Sequence, residues 1–212
     1  DKNQKLRRPR KQLKNNRKPQ EFLSDEDFVR LLKSIDTTKF HEYRDYIVIQ
    51  LIIDTGMRIG ECLSITTDDI DLNQRCILLP AKNTKGKKDR YVFFSPKMGQ
   101  ELRRWLQYKD RYVNSYYLFC TKRGNNLAIG TFEVNFKNYG KRIRVEVNPH
   151  MLRNNFAKRF LMAGGDIYTL SRLLGHSSVT VTEKAYLDLT DDDIRQNYQR
   201  FSPLSNMRSV RG

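Results

Sequence analysis

Two arginines, two histidines and one tyrosine in this chain have types and spacings suited to chemistry at a phosphodiester. Arg58 stands in Thr55-Gly56-Met57-Arg58-Ile59-Gly60-Glu61. His150 and Arg153 fall in Pro149-His150-Met151-Leu152-Arg153, His176 in Leu174-Gly175-His176, and Tyr186 in Lys184-Ala185-Tyr186. A guanidinium binds two phosphate oxygens at once and stays charged. An imidazole hydrogen-bonds and shuttles protons, and a phenol can attack phosphorus. With a free pKa near 10, only ~0.1% of a tyrosine is phenolate at neutral pH. Neighbouring cations and a hydrogen-bonding histidine lower that cost. Preorganised contacts to the developing charge contribute ~3–4 kcal/mol each. The departing 5′-oxygen needs a proton, which a lysine on a hairpin could deliver. Such a set is what a metal-free enzyme needs to exchange a DNA phosphodiester for a phosphotyrosine bond.

Each residue also has a plainer reading. Arg58 could be an ion-pair partner at a helix junction, His150 a cap behind a proline, and His176 a C-cap side chain. Tyr186 is one of 11 tyrosines, and Lys85 is one of four lysines on one loop. Order and spacing taken together favour the chemical reading.

The elements that must hold these residues are legible from periodicity and capping. Ser24 with Asp27 resembles a capping box ahead of Phe28, Leu31, Leu32 and Ile35 at helical spacing. A second helix is expected from about His41 to Thr55, ended by Gly56, with a short one over Ile59–Ile65. Arg58 then sits at their junction. Cys76–Leu79 and Tyr91–Phe94 read as strands of a hairpin whose tip, Lys82 to Arg90, is basic. Ser95-Pro96 opens a helix to about Tyr112, Tyr117–Cys120 reads as a short strand, and a helix over Thr131–Ile143 follows. Pro149 starts the helix carrying His150 and Arg153, three apart and so on one face, which closes at Gly164-Gly165. Asp166 caps a short helix ending at Gly175, with His176 directly after it. Helices over Val179–Leu187, displaying Tyr186, and from a Thr190 cap to Phe201 complete the pattern. The expected fold class is mainly α with a small antiparallel β-sheet (α+β).

The 212 residues carry a net charge of +16, which points to a polyanionic partner. Residues 1–20 hold nine basic side chains and one acid, contributing +8 without apolar periodicity. They read as a basic arm or interdomain linker, the plainer alternative being a solubilising or targeting tail. An apolar content of 38% argues against global disorder. The chain lacks an apolar run long enough for a membrane span and a signal-peptide pattern. Cys62, Cys76 and Cys120 are spaced for neither a zinc site nor a disulfide framework. The expectation is an intracellular protein, cytoplasmic and associated with a bacterial nucleoid. Because the chain opens on Asp1, a fragment with a preceding domain is expected.

Residues 22–201 resemble the tyrosine recombinase (phage integrase) family. T-G-M-R-I-G-E resembles its first arginine box (Arg58), H-M-L-R its second (His150, Arg153), and L-L-G-H-S-S the segment with its last histidine (His176). Tyr186 follows ten residues later, within the family's nine-to-ten spacing. T-K-G-K-K-D-R-Y-V-F-F resembles the family's lysine hairpin, in which the catalytic lysine precedes the strand-opening arginine by five, and this selects Lys85. Asn154-Asn155 stands where many members carry histidine or serine/threonine.

The resemblance implies a catalytic domain over 21–201, a tail over 202–212, and an absent core-binding domain before the arm. It implies a 3′-phosphotyrosine intermediate, a free 5′-hydroxyl, no metal and no cofactor. Double-stranded DNA is the expected partner, contacted by Lys82, Lys87, Lys88 and Arg90 on the hairpin and by Arg7, Arg8, Arg10 and Lys11 on the arm. A homotetramer on DNA, exchanging its C-terminal helix, and accessory DNA-bending proteins are expected with it. A type IB topoisomerase-like relaxing enzyme and a non-catalytic DNA-binding regulator on the same fold remain alternatives.

Overall fold

A computed structural model describes residues 22–176, 178–180, 182 and 191–201. The basic arm, the tail, Tyr186 and most of the helix expected around it lie outside the described residues. Ser24 Oγ accepts from the Asp27 N–H at 3.1 Å and starts α1 (Asp25–Lys33). Asp27 pairs with Arg30 at 2.8 Å, so only half of a capping box forms.

α2 (Phe40–Thr55) is the central element, buried along nearly its whole length and packed against later helices. Such a helix must bury polar residues, and each has partners. Asp45 accepts from Arg44 Nη2, the Tyr139 hydroxyl and Asn135 Nδ2, each at 2.8 Å. α2 stops at Gly56, whose φ of 71° is left-handed. After Met57 and Arg58 the chain turns into α3 (Ile59–Leu63), with Ser64 as its C-cap.

The sheet has three antiparallel strands in the order β1 (Ile70–Asp71), β2 (Cys76–Leu79), β3 (Arg90–Phe93). Cys76 pairs with Phe93 and Leu79 with Arg90, so Ile77, Leu79 and Val92 face the core while Tyr91 and Phe93 are exposed. β1 has no apolar run of its own. It is held by a turn in which the Asp71 carboxylate accepts from the Asn73 and Gln74 N–H groups. Tyr117–Cys120 is not a strand. It makes isolated bridges from Tyr117 to Thr66 and from Cys120 to Asn126.

α4 (Pro96–Tyr112) begins as expected, with Ser95 capping and Pro96 in the first turn. It buries Trp105, whose indole donates to Leu118 O at 2.9 Å, in an aromatic cluster with Phe40 and Tyr43. α5 (Ile129–Ile143) starts two residues before the expected Thr131. α6 (Pro149–Met162) and α7 (Ile167–Leu174) share a second apolar cluster of Ala157, Leu161, Leu170 and Leu174. Asn155, in the departure from the family pattern, is buried and structural. Its amide donates to Leu23 O and its oxygen accepts from the Leu23 N–H, fastening the segment just before α1 to α6. α8 (Asp191–Phe201) lies along α6, joined by Lys158–Asp193 at 3.0 Å and by Arg200 to Met162 O at 3.2 Å. No helix of the described residues is long and apolar enough to cross a membrane.

Candidate active site

The turn after α2 builds the first wall. Gly56 is required twice: its φ is positive, and a side chain there would overlap the Phe156 ring. Its carbonyl accepts from Arg153 Nη1 at 2.6 Å, tying the turn to α6. Arg58 opens α3, and the buried Glu61 carboxylate reaches back to the Arg58 N–H at 2.8 Å and to Arg58 Nη1 at 3.2 Å. Burial pushes the Glu61 carboxyl up, but hydrogen bonds and charge from Arg90 and Arg58 outweigh it and hold the group below its ordinary value.

α6 supplies the second wall. Asn148 caps it, accepting from the Met151 N–H, and Pro149 occupies the first turn. His150 is exposed at this end, and Arg153 one turn on is buried. Arg153 Nη2 donates to Leu174 O at 2.8 Å and lies 3.1 Å from His176 Nε2. Burial first, then the Arg58 charge, push the Arg153 pKa down to about 9. The guanidinium therefore remains charged at neutral pH, and among the described residues its hydrogen bonds go to two backbone carbonyls and to His176 rather than to a carboxylate.

α7 delivers His176. Asp166 caps the helix, and Gly175 ends it with a φ of 64°. The His176 N–H returns to Ser171 O at 3.0 Å, and Nδ1 lies 2.7 Å from Thr182 Oγ1. Arg153 can only donate, so Nε2 must be the bare nitrogen and Nδ1–H donates to the threonine. Burial first, then the charges of Arg153, Arg58 and Arg90, lower the His176 pKa to about 4, which agrees with that neutral tautomer.

Lys85 is exposed on the β2–β3 loop. The buried Thr84 beside it donates from Oγ1 to Lys88 O at 2.9 Å and accepts from the Lys88 N–H. Asp89 accepts from the Ala81 N–H at 2.6 Å. The loop that presents Lys85 therefore has its own internal frame.

Arg58, Lys85, His150, Arg153 and His176, from four separate segments, line one cleft of about 480 Å³. Glu133 of α5, which periodicity did not single out, also lines it. Of the three guanidiniums around Glu61, that carboxylate neutralises one. The resulting charge surplus suits a phosphate anion.

One expectation comes out differently. Arg90, expected on DNA, is largely buried and forks onto Glu61, with Nη1–Oε1 at 2.8 Å and Nη2–Oε2 at 2.7 Å. Lys82 is exposed in a 3₁₀ turn and lines a polar pocket with Tyr116 and Tyr117. Lys87 and Lys88 are exposed on the loop. Tyr186, Arg7, Arg8, Arg10 and Lys11 lie outside the described residues. Glu61 and Thr182 are the residues that sequence reasoning passed over. Glu61 stood inside the quoted arginine box, and its spacing of three from Arg58 on a helix was the available signal.

Residues 21–193 match the model of the phage integrase family. This chain belongs to that family. A tyrosine recombinase XerA from Saccharolobus solfataricus is 30% identical over 183 residues, which are 86% of this chain and 58% of that protein. A crystal structure of XerA recombinase superimposes with a TM-score of 0.74 at 27% identity, covering 90% of this chain and 66% of that one. The XerH site-specific recombinase bound to its difH substrate, in a pre-cleavage complex, has a TM-score of 0.65 at 25% identity, covering 91% and 56%. The integrase-family chain thus spans about three fifths of the length of such relatives. Its helical body and small antiparallel sheet are the tyrosine recombinase catalytic-domain fold.

Proposed function

We propose that this chain is the catalytic part of a site-specific DNA recombinase of a phage or other mobile element. It breaks and rejoins DNA through a 3′-phosphotyrosine intermediate, using neither ATP nor metal. One observation carries the reading: five predicted catalytic side chains, from positions 58 to 176, line a single cleft.

In this reading a backbone phosphate enters between Arg58 and Arg153, which hold its non-bridging oxygens. The Tyr186 oxygen attacks phosphorus, the bond from phosphorus to the 5′-oxygen breaks, and Lys85 gives that oxygen its proton. The phenolic proton passes to the histidine side of the cleft. His176, neutral with a bare Nε2, is ready to accept it, and His150 assists from the rim. As charge grows on the phosphoryl oxygens, the depressed Arg153 regains the anionic partner that its burial lacks, so the contact strengthens toward the transition state. Phosphotyrosine conserves the bond energy, and a 5′-hydroxyl reverses the step on a new strand.

Double-stranded DNA is the partner in this reading, bound by the arm residues Arg7, Arg8, Arg10 and Lys11 and by the loop residues Lys82, Lys87 and Lys88. The XerH site-specific recombinase, solved bound to its difH substrate, supports that choice. A homotetramer, formed by moving α8 from its own α6 to a neighbour, and accessory bending proteins belong to the same proposal. The test is a nicked suicide duplex carrying candidate attachment sequences. Wild type should give an SDS-stable protein–DNA adduct that peptide mapping places at Tyr186. Tyr186→Phe should bind the duplex and form no adduct; an adduct from that variant contradicts the assignment.

A further inference from the structure

We propose that Arg90 is a positioning residue of this site, a strut that holds the Lys85 loop, the Arg58 box and the His176 turn in register. The proposal rests on the recombinase reading for what the site does, but not for what Arg90 touches.

Arg90 opens β3, five residues after Lys85, and pairs in register with Leu79 at the base of the loop. Its side chain is 12% exposed. Both terminal nitrogens go to the two oxygens of Glu61, the carboxylate that also holds the Arg58 N–H and Nη1. Nε lies 3.4 Å from Leu173 O, in the last turn of α7. Gly175 completes the seat: a Cβ there would stand 2.9 Å from Arg90 Cζ and Nε, so only glycine leaves room for the guanidinium. The next residue is His176. One planar group therefore joins three segments that carry candidate catalytic residues.

A lysine could not replace it, because a single ammonium cannot meet both carboxylate oxygens and a carbonyl in one plane. Displacement of a catalytic group by about 1 Å is enough to lower a rate about 10²-fold.

The test uses the full chain with Arg90→Met and Arg90→Lys on nicked duplexes carrying candidate attachment sequences. Adduct formation is timed at saturating DNA, affinity is measured separately, and the His176 ring is followed by NMR titration without DNA. Arg153, Arg58 and Arg90 are the charges that face this ring. For Arg90→Met we expect about a 10²-fold slower adduct at affinity within twofold of wild type, and a His176 midpoint moved upward. For Arg90→Lys we expect partial recovery, to roughly a tenfold loss. Weakened affinity with an unchanged saturated rate would make Arg90 a DNA contact and overturn the proposal. Unchanged rate and affinity would overturn it as well. Should Arg90→Met fail to fold, Arg90→Lys decides: a slower saturated rate at unchanged affinity supports the strut, and a wild-type rate refutes it. Should wild type itself give no adduct, the recombinase reading fails, and the His176 midpoint alone decides: a rise supports Arg90's role and no movement ends it.

Discussion

Lowering the pH from 7 to 5 should destabilise this protein through His176, even before DNA enters the cleft. The imidazole has an ordinary pKa near 6.5, and in the fold it is held to about 4, by burial first and then by Arg153, Arg58 and Arg90. Between those two values the unfolded chain binds the proton and the folded chain does not. Stability is therefore complete above pH 6.5, falls as pH drops, and the loss is finished near pH 4. Taken at face value, the step from pH 7 to 5 removes about 2 kcal/mol. The residue is partly exposed, so screening reduces this to roughly 1 kcal/mol. The assay is urea unfolding of wild type and His176→Gln at both pH values in buffer free of phosphate. Gln keeps a hydrogen-bonding side chain and does not titrate, so its pH-dependent loss should be smaller by that ~1 kcal/mol. Equal losses in the two proteins would refute the reasoning, because His176 would then titrate alike in the folded and unfolded chains. A phosphate anion in the cleft should reverse the effect, since it offsets the arginine charges that depress the ring.

Two other perturbations separate positioning from packing. Glu61→Ala should cost roughly 3–5 kcal/mol in urea unfolding, because it leaves the largely buried Arg90 without its carboxylate and loosens Arg58; a loss under about 1 kcal/mol would mean that the pair is solvated. Thr182→Val keeps the shape but removes the acceptor from His176 Nδ1–H, a change worth about 1–3 kcal/mol. Adduct formation should slow about tenfold or more, and Thr182→Ser should restore it; equal rates for Val and Ser would show that the hydroxyl does not set the tautomer.

Local rules explain why so much of the frame could be read in advance. Ser24, Ser95, Asn148 and Asp166 accept from backbone N–H groups at their helix starts, and Gly56 and Gly175 end helices with positive φ. These signals act within a few residues, so periodicity and capping reach them. Asn148 caps a helix whose start Pro149 already marks. The β2–β3 hairpin was legible for the same reason. β1 was not: two residues have no period, and the strand exists because Asp71 closes a turn back toward β2. The bridges of Tyr117 and Cys120 failed as a strand because their partners, Thr66 and Asn126, lie on opposite sides in sequence and no continuous ladder forms.

The sequence by itself determined the residue types, their order and the helix or turn on which each would stand, since those depend on neighbours in the chain. Only the tertiary structure decided which charges remain available. Arg90 looked like one more cation for DNA, yet Glu61, 29 residues earlier, takes its guanidinium. His176 looked like a proton carrier of ordinary basicity, yet burial, and after it guanidiniums from three other segments, keep it neutral. Electrostatic energy falls with distance through space and ignores distance along the chain, so the protonation state of a site belongs to the fold that assembles it.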